Sequence, residues 1–243
     1  MVDIVEIQQQ MTQGMTKPWL CAGDDGNQYV VKRLNAGLNG CIYEWISANL
    51  GKKLGLNIPD PELVYIDEPM VEFDIDLQTE LGSGVAFASK YHHDLNEVNF
   101  NELIKADKSK LVDLYIFDYW LKNDDRTLTE RGGNPNLFQD LISKELVIFD
   151  HNLAFDSDFN LRQFKNTHVA SFLFKDQIDL FEQLIDRKVY EEKLEAAYSG
   201  LEEIISSIPS EWLDALEDST GELERLRLIL GEFRDNKFWE ALI

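Results

Sequence analysis

Residues 119–150 read YWLKNDDRTLTERGGNPNLFQDLISKELVIFD. A helix that is apolar nearly all round, over residues 111–121, leads into them. A polar loop dense in Asp, Asn, Arg and Gly follows. Two short apolar runs, 136–141 and 146–149, joined by the turn-like residues 142–145, close the stretch directly on Asp150. Helix, polar loop, hairpin and carboxylate together fix a few oxygen ligands on rigid elements around a cleft. Asp125 and Asp150 offer carboxylates, and Asn134 and Asn136 offer amides, the hard oxygen donors that Mg²⁺ prefers. The layout suits phosphoryl transfer, where a protein acts by positioning and charge neutralisation more than by covalent chemistry.

A phosphate-binding cation is the next requirement, and the chain upstream supplies a candidate. Gly40 precedes the helical CIYEWISANLGKKLGL, which ends at Gly55 ahead of Pro59. Ile42, Ile46 and Leu50 form one apolar stripe of that helix. Glu44 lies on the adjoining face among the small residues Cys41, Ala48 and Gly51. A carboxylate so placed can approach another element closely, and once buried it needs a cationic partner. Lys32, on the β-branched strand 28–34, is that partner. A strand lysine alone ordinarily faces solvent; paired to a helix glutamate in a cleft, it holds ATP phosphates in kinases.

Ahead of Lys32, residues 3–10 alternate as a strand and 11–17 (MTQGMTK) form a loop centred on Gly14 with Thr12 and Thr16. Residues 19–22 are a short apolar run, and Asp24-Asp25-Gly26 is a hairpin turn. Three antiparallel strands with a phosphate-sized loop between the first two are expected, Gly14 and Thr16 being candidates for nucleotide contact. A lone glycine there also suits an ordinary turn. A fourth strand follows the two prolines in 56–67, residues 68–84 read as an acidic insertion or loop, and 84–91 read as a fifth strand. His92-His93-Asp94 could be read as a metal cluster, but adjacent residues of an extended segment point opposite ways. We expect these residues instead to mark the crossing from a β-rich part, 1–92, to a helical part, 93–243, with an adenine contacting backbone there. Residues 169–208 read as successive amphipathic helices using Ile178, Phe181, Leu184 and Ile185, then Leu194, Ala197, Leu201, Ile204 and Ile205. Pro209 breaks that run, Ser210 can cap the next helix, and Gly221 separates the last.

Composition narrows the classes of function. A hydrophobic fraction of 44% with 14 Phe, 8 Tyr and 5 Trp is ample for a packed core. No stretch approaches the roughly 18 uncharged apolar residues of a membrane span. The N-terminus has an early acid and no basic region, unlike a signal peptide. Two cysteines, Cys21 and Cys41, fit structural thiols in a reducing cytoplasm better than a disulfide scaffold. A net charge of −22 argues against nucleic-acid or anionic-membrane partners and favours a neutral or basic protein.

On these residues the chain resembles the HipA-like kinases. The segments NDDRT, NPNLF, LVIFDHNLAF, YVVK, the helix with Glu44 and the late SIPSEWLDAL carry the likeness, in particular to a compact branch without a separate N-terminal subdomain. A more distant similarity runs to phosphoinositide kinases. The resemblance implies one α+β, bilobal protein-kinase-like domain over 1–243, with a small antiparallel β-rich lobe (1–92) and a mainly helical lobe (93–243). It implies a Mg²⁺–ATP site with Lys32 as the phosphate lysine, held by Glu44, Asp125 as the base, and Asn136 and Asp150 as metal ligands. Asn134 stands as a rival ligand, Asp124 as a rival base, and Arg126 as a loop anchor or partner of an acid. Autophosphorylation of a hydroxyl near the nucleotide, here Thr12 or Thr16, is also implied. This sequence departs from the pattern in three places. Ten residues separate Asp125 from Asn136, His151-Asn152 follow Asp150 in place of Phe-Gly, and the glycine-rich loop is nearly glycine-free. Transfer to a protein Ser or Thr hydroxyl is the expected activity; a small-molecule or lipid acceptor, or a nucleotide-binding pseudokinase acting as an interaction module, is the alternative.

Overall fold

β1 (Val2–Gln10), β2 (Trp19–Gly23), β3 (Gln28–Lys32), β4 (Pro61–Ile66) and β5 (Gly84–Lys90) close into a barrel in the order β1-β2-β3-β5-β4. The computed structural model describes residues 1–11, 16–174 and 185–242. The three expected N-terminal strands and the two later ones are all present. Closure comes from a pairing that alternation cannot reveal: β1 runs parallel to β4, with Val2 opposite Val64 and Asp3 opposite Tyr65. Inward residues of every strand, among them Ile4, Cys21, Val31, Val64 and Ala86, make the barrel's own core.

Helix α1 (Leu38–Lys53) crosses between this barrel and the helical part of the chain. Gly51 marks the closest approach, because a Cβ there would lie 2.3 Å from Ile58 Cδ1 and 2.9 Å from Phe117 Cζ. The acidic segment 68–84 is not an irregular loop. It holds a 3₁₀ turn, Glu68–Met70, and helix α2 (Ile75–Glu80), whose first N–H groups are capped by the Asp67 and Asp74 carboxylates. Those acids read as charge in the sequence and act as caps in the fold.

After α3 (Phe100–Leu103), helix α4 (Lys108–Trp120) follows its N-cap Asp107 and is buried almost all round, as its sequence indicates. Strands β6 (Leu95–Glu97), β7 (Leu137–Asp140) and β8 (Leu146–Ile148) form a second sheet in that order. The hairpin β7–β8 is the one expected, whereas β6 is too short to show a pattern of its own. Downstream lie α5 (Leu161–Thr167), α6 (Arg187–Tyr198), α7 (Leu201–Ser206), α8 (Ser210–Asp214), α9 (Ser219–Gly231) and α10 (Asn236–Leu242). Helices α6 and α7 deliver Leu194, Ala197, Leu201, Ile204 and Ile205 to the main core as their spacing requires. Ile178, Phe181 and Leu184 lie outside the described residues.

Two helix boundaries differ from the sequence reading. Pro209 occupies the cap position of α8 and Ser210 is its first residue, with no side-chain cap bond. Gly221 sits in the first turn of α9, where its N–H donates to the Asp218 carboxylate at 2.8 Å. The true signal there is an Asp cap. Among the described residues no helix is long and apolar enough to cross a membrane. Cys21 and Cys41 are free and buried, and burial pushes both thiols up to about 12.

Candidate active site

Strand β3 ends on Lys32, which points away from water into the gap beside α1. Its Nζ lies 2.6 Å from Glu44 Oε1 and 2.7 Å from Asp150 Oδ1. Only 6% of Lys32 and 2% of Glu44 are exposed. Burial would lower the lysine's pKa, but the Asp150 and Glu44 carboxylates outweigh it and hold the ammonium above its usual value. Burial likewise works against Glu44, and Lys32 and then His151 hold its carboxyl below the usual range. The expected pair is therefore present, and Asp150 is joined to it across 118 residues of sequence.

The loop after α4 is built on a fully buried charge cluster. Asp118, inside the apolar helix, accepts from Arg126 Nε at 2.8 Å and from Asn123 Nδ2 at 2.9 Å. His168 Nε2 lies 2.9 Å from the same carboxylate, while its Nδ1 accepts from Ala170 N–H at 3.1 Å. That arrangement makes His168 a neutral Nε2–H donor, in keeping with burial lowering its pKa. Burial opposes the Asp118 charge, but Arg126 and His168 bring its carboxyl down to about 2. Arg126 also donates to the Phe149 carbonyl at 2.8 Å and to the Asn136 carbonyl. One guanidinium thus ties α4, the polar loop and the end of β8 together, fulfilling both roles open to it in the sequence. Asp118 and His168 were not singled out there. An Asp set between Phe117 and Tyr119 in a largely apolar helix was the available signal, since a buried carboxylate demands partners.

This scaffold aims Asp125 inward. Its Oδ2 accepts Nδ2 of Asn134 at 2.9 Å and Nδ2 of Asn136 at 2.8 Å. Desolvation, with the Asp150 charge adding to it, raises its pKa above the ordinary Asp value despite those two bonds. The rival Asp124 turns elsewhere, accepting from Asn160 N–H at 3.4 Å. The long spacing between Asp125 and Asn136 is absorbed locally. Residues 127–134 double back as a small hairpin in which Thr127 N–H donates to the Asn134 carbonyl at 2.8 Å and Thr129 bridges to Gly132. Gly132 takes φ +100° to make the turn, and a Cβ on Gly133 would sit 2.4 Å from the Thr127 carbonyl oxygen. The residues between therefore fold back so that both asparagines meet Asp125.

Lys32, Glu44, Asn134, Asn136 and Asp150 share one cleft of about 230 Å³. Val30, Ala48, Phe87, Phe138 and Ile148 supply apolar walls suited to a flat aromatic ring. Ser89, Tyr91 and His92 border it on the side of the segment after β5. The histidine rings part company: His92 Nε2 lies 3.4 Å from Asp140, and His93 packs edge-on against Tyr91. Thr16 reaches the cleft with a buried Oγ1 that has no hydrogen-bond partner among the described residues, while Thr12 and Gly14 lie outside them. His151 was not anticipated as a site residue. It is 1% exposed, and its backbone N–H donates to Glu44 Oε2 at 3.0 Å, so Glu44 clasps Lys32 with one oxygen and the peptide after Asp150 with the other.

The donor set fits a hard divalent cation. Asn134 and Asn136 spend their side-chain Nδ2 groups on Asp125, and among the described residues neither side-chain Oδ1 meets a hydrogen-bond donor. Asp150 keeps Oδ2 free of Lys32. Asn136 (φ 43°) and Asp150 (φ 59°) both hold left-handed backbone, which Asn and Asp tolerate best. Such strain gathers where surrounding structure fixes a functional group.

A β-barrel joined through one crossing segment to a helical body, with a Lys–Glu pair facing an Asp–Asn loop and a second Asp, defines a protein-kinase-like phosphotransferase. The HipA-like kinase family model matches residues 4–242, and the chain belongs to that family. The crystal structure of the Helicobacter pylori proinflammatory kinase CtkA shares the fold, with a TM-score of 0.58 at 15% identity over 99% of this chain and 94% of that one. The Golgi casein kinase gives 0.48 at 12% identity over 99% and 71%. Its Mn/ADP-bound structure gives 0.42 at 14% over 96% and 71%. No curated protein matches the sequence.

Proposed function

We propose that this kinase uses Mg²⁺–ATP to phosphorylate a Ser or Thr hydroxyl of a protein. The observation that carries the reading is the buried Lys32 ammonium held between Glu44 and Asp150, opposite Asp125. Lys32 binds the α- and β-phosphates, Glu44 fixes its direction, and Thr16 lies against the nucleotide. Asn136 and Asp150 would hold Mg²⁺, whose charge would offset that of the phosphates. Asp125 receives the acceptor's proton as the acceptor oxygen bonds to the γ-phosphorus. The bond from that phosphorus to the β–γ bridging oxygen breaks, and its electron pair leaves with ADP. The two buried free thiols suit a reducing cytoplasm, and the acidic surface suits a neutral or basic protein substrate.

Incubation with γ-labelled ATP and a mixed set of protein, lipid and sugar acceptors, followed by phosphoamino-acid analysis, tests the proposal. Label on phosphoserine or phosphothreonine is expected. Label confined to a lipid or sugar would overturn the protein-acceptor half and keep the kinase.

A further inference from the structure

Lys32, Glu44 and Asp150 form one ionic link, and each has a near neighbour in sequence that is bonded to α8 or α9. Beside Lys32, the Arg33 guanidinium donates to the Leu81 and Val85 carbonyls and reaches Glu211 of α8 at 3.3 Å. Glu211 also accepts the Val85 N–H at 2.8 Å, and the adjacent Trp212 Nε1 donates to the Val85 carbonyl at 2.8 Å. Gly84 makes that approach possible, since a Cβ there would lie 2.8 Å from the Glu211 carboxylate. Beside Glu44, the Tyr43 hydroxyl donates to Glu222 of α9 at 2.7 Å. Downstream of Asp150, the Phe155 carbonyl accepts from Arg225 of α9 at 2.8 Å, and the Phe155 ring packs edge-on against Tyr43. Arg225 holds both Glu222 oxygens, at 2.7 and 2.8 Å, so one ion pair serves both contacts. Phe155 sits at φ 60°, an outlier for a bulky residue that surrounding structure must enforce.

We propose that Glu211, Glu222 and Arg225 are positioning residues: through Arg33, Tyr43 and Phe155, the two C-terminal helices set Lys32, Glu44 and Asp150 for phosphoryl transfer. The inference rests on the kinase reading above and extends its machinery to α8 and α9. None of the six lines the nucleotide cleft, so they act on it through their neighbours. Ion pairs as exposed as Arg33–Glu211 and Arg225–Glu222 contribute little to stability by themselves. Their convergence on the flanks of one ionic link is what gives them a role, because small misplacements of groups that orient a reaction are costly.

Chemical footprinting of the whole folded chain, without nucleotide, tests this with Glu211→Ala, Arg225→Gln and the conservative Arg225→Lys. Peptide mass spectrometry reads acylation of Lys32, while alkylation of Cys21, buried in the barrel core, reports general opening of the fold. Glu211→Ala and Arg225→Gln should each raise the Lys32 rate severalfold with Cys21 at its wild-type rate, and Arg225→Lys should stay near wild type. A purely structural role would move the two reagents together. With an acceptor that wild type labels, kcat should fall about tenfold in the first two variants and recover in Arg225→Lys. Unchanged Lys32 reactivity, Lys32 and Cys21 rising together, or wild-type kcat in both variants overturns the inference and leaves the kinase standing. A wild type that labels no acceptor removes the kinase reading, and the footprint then still decides whether the helices hold the link.

Discussion

Lys32 shows what one buried side chain commits the fold to. With Lys32→Met, Glu44 and Asp150 lose their cation while Glu44 stays buried, and breaking such a pair typically costs about 3–5 kcal/mol. A fall in melting temperature together with loss of ATP binding is expected; unchanged stability would mean the charges are not coupled. Asp125 behaves in the opposite sense. Its folded pKa lies above its unfolded one, so the fold favours the protonated form, and that contribution is lost as pH rises through the folded pKa. Near neutral pH the ionised group therefore costs stability. Asp125→Asn should raise the melting temperature slightly while abolishing transfer, and the acid limb of the wild-type kcat/KM profile should lie above the roughly 3.9 of a free Asp. Thr16, with its unpartnered hydroxyl in the cleft, is the described candidate for self-modification. Peptide mass spectrometry after incubation with Mg²⁺–ATP should find phosphate on residues 11–17, and an unmodified loop would withdraw that expectation alone.

Elements decide whether those residues meet. The hairpin 127–134 takes up the long spacing between Asp125 and Asn136, and its tightest point is backbone against backbone at Gly133. Gly133→Ala should therefore lower kcat by an order of magnitude or more with a modest change in melting temperature. A variant with wild-type kcat would show that the loop tolerates a different path. Much at this scale was legible, because local patterns report local structure: the strand carrying Lys32, the stripe and small-residue face around Glu44, the apolar helix and the β7–β8 hairpin. Less legible were features that depend on distant partners. Parallel closure of β1 on β4, the link from Lys32 to Asp150 and the anchoring of Arg126 on Asp118 involve residues whose own neighbours look ordinary. The family resemblance already put Asp125 ahead of Asp124, whereas the different partners of the two carboxylates were not legible. The caps Asp67, Asp74 and Asp218 hid in plain charge, since an acid that ends a helix and one that faces water look the same in sequence.

At the scale of the molecule, a barrel and a helical body meet around a cleft whose lining residues come from both. Glu44 on α1, Lys32 on β3 and the peptide after Asp150 are bonded to one another, so nucleotide binding should stabilise the whole chain. Mg²⁺–ATP at about 100 times its Kd contributes roughly 2.7 kcal/mol, or about 5–10 °C for a chain of this size. Asp150→Asn should remove most of the metal-dependent part of that shift. The most direct test of the account separates binding from chemistry in a single variant. Transfer from γ-labelled ATP is measured with wild type and Asp125→Asn, each first shown to gain the Mg²⁺–ATP thermal shift. Wild type should label its acceptor, and Asp125→Asn should bind nucleotide equally well and transfer at least about a hundredfold more slowly. Equal transfer by the two proteins would contradict the role of Asp125 and, with it, the reading of the stretch on which the fold turns.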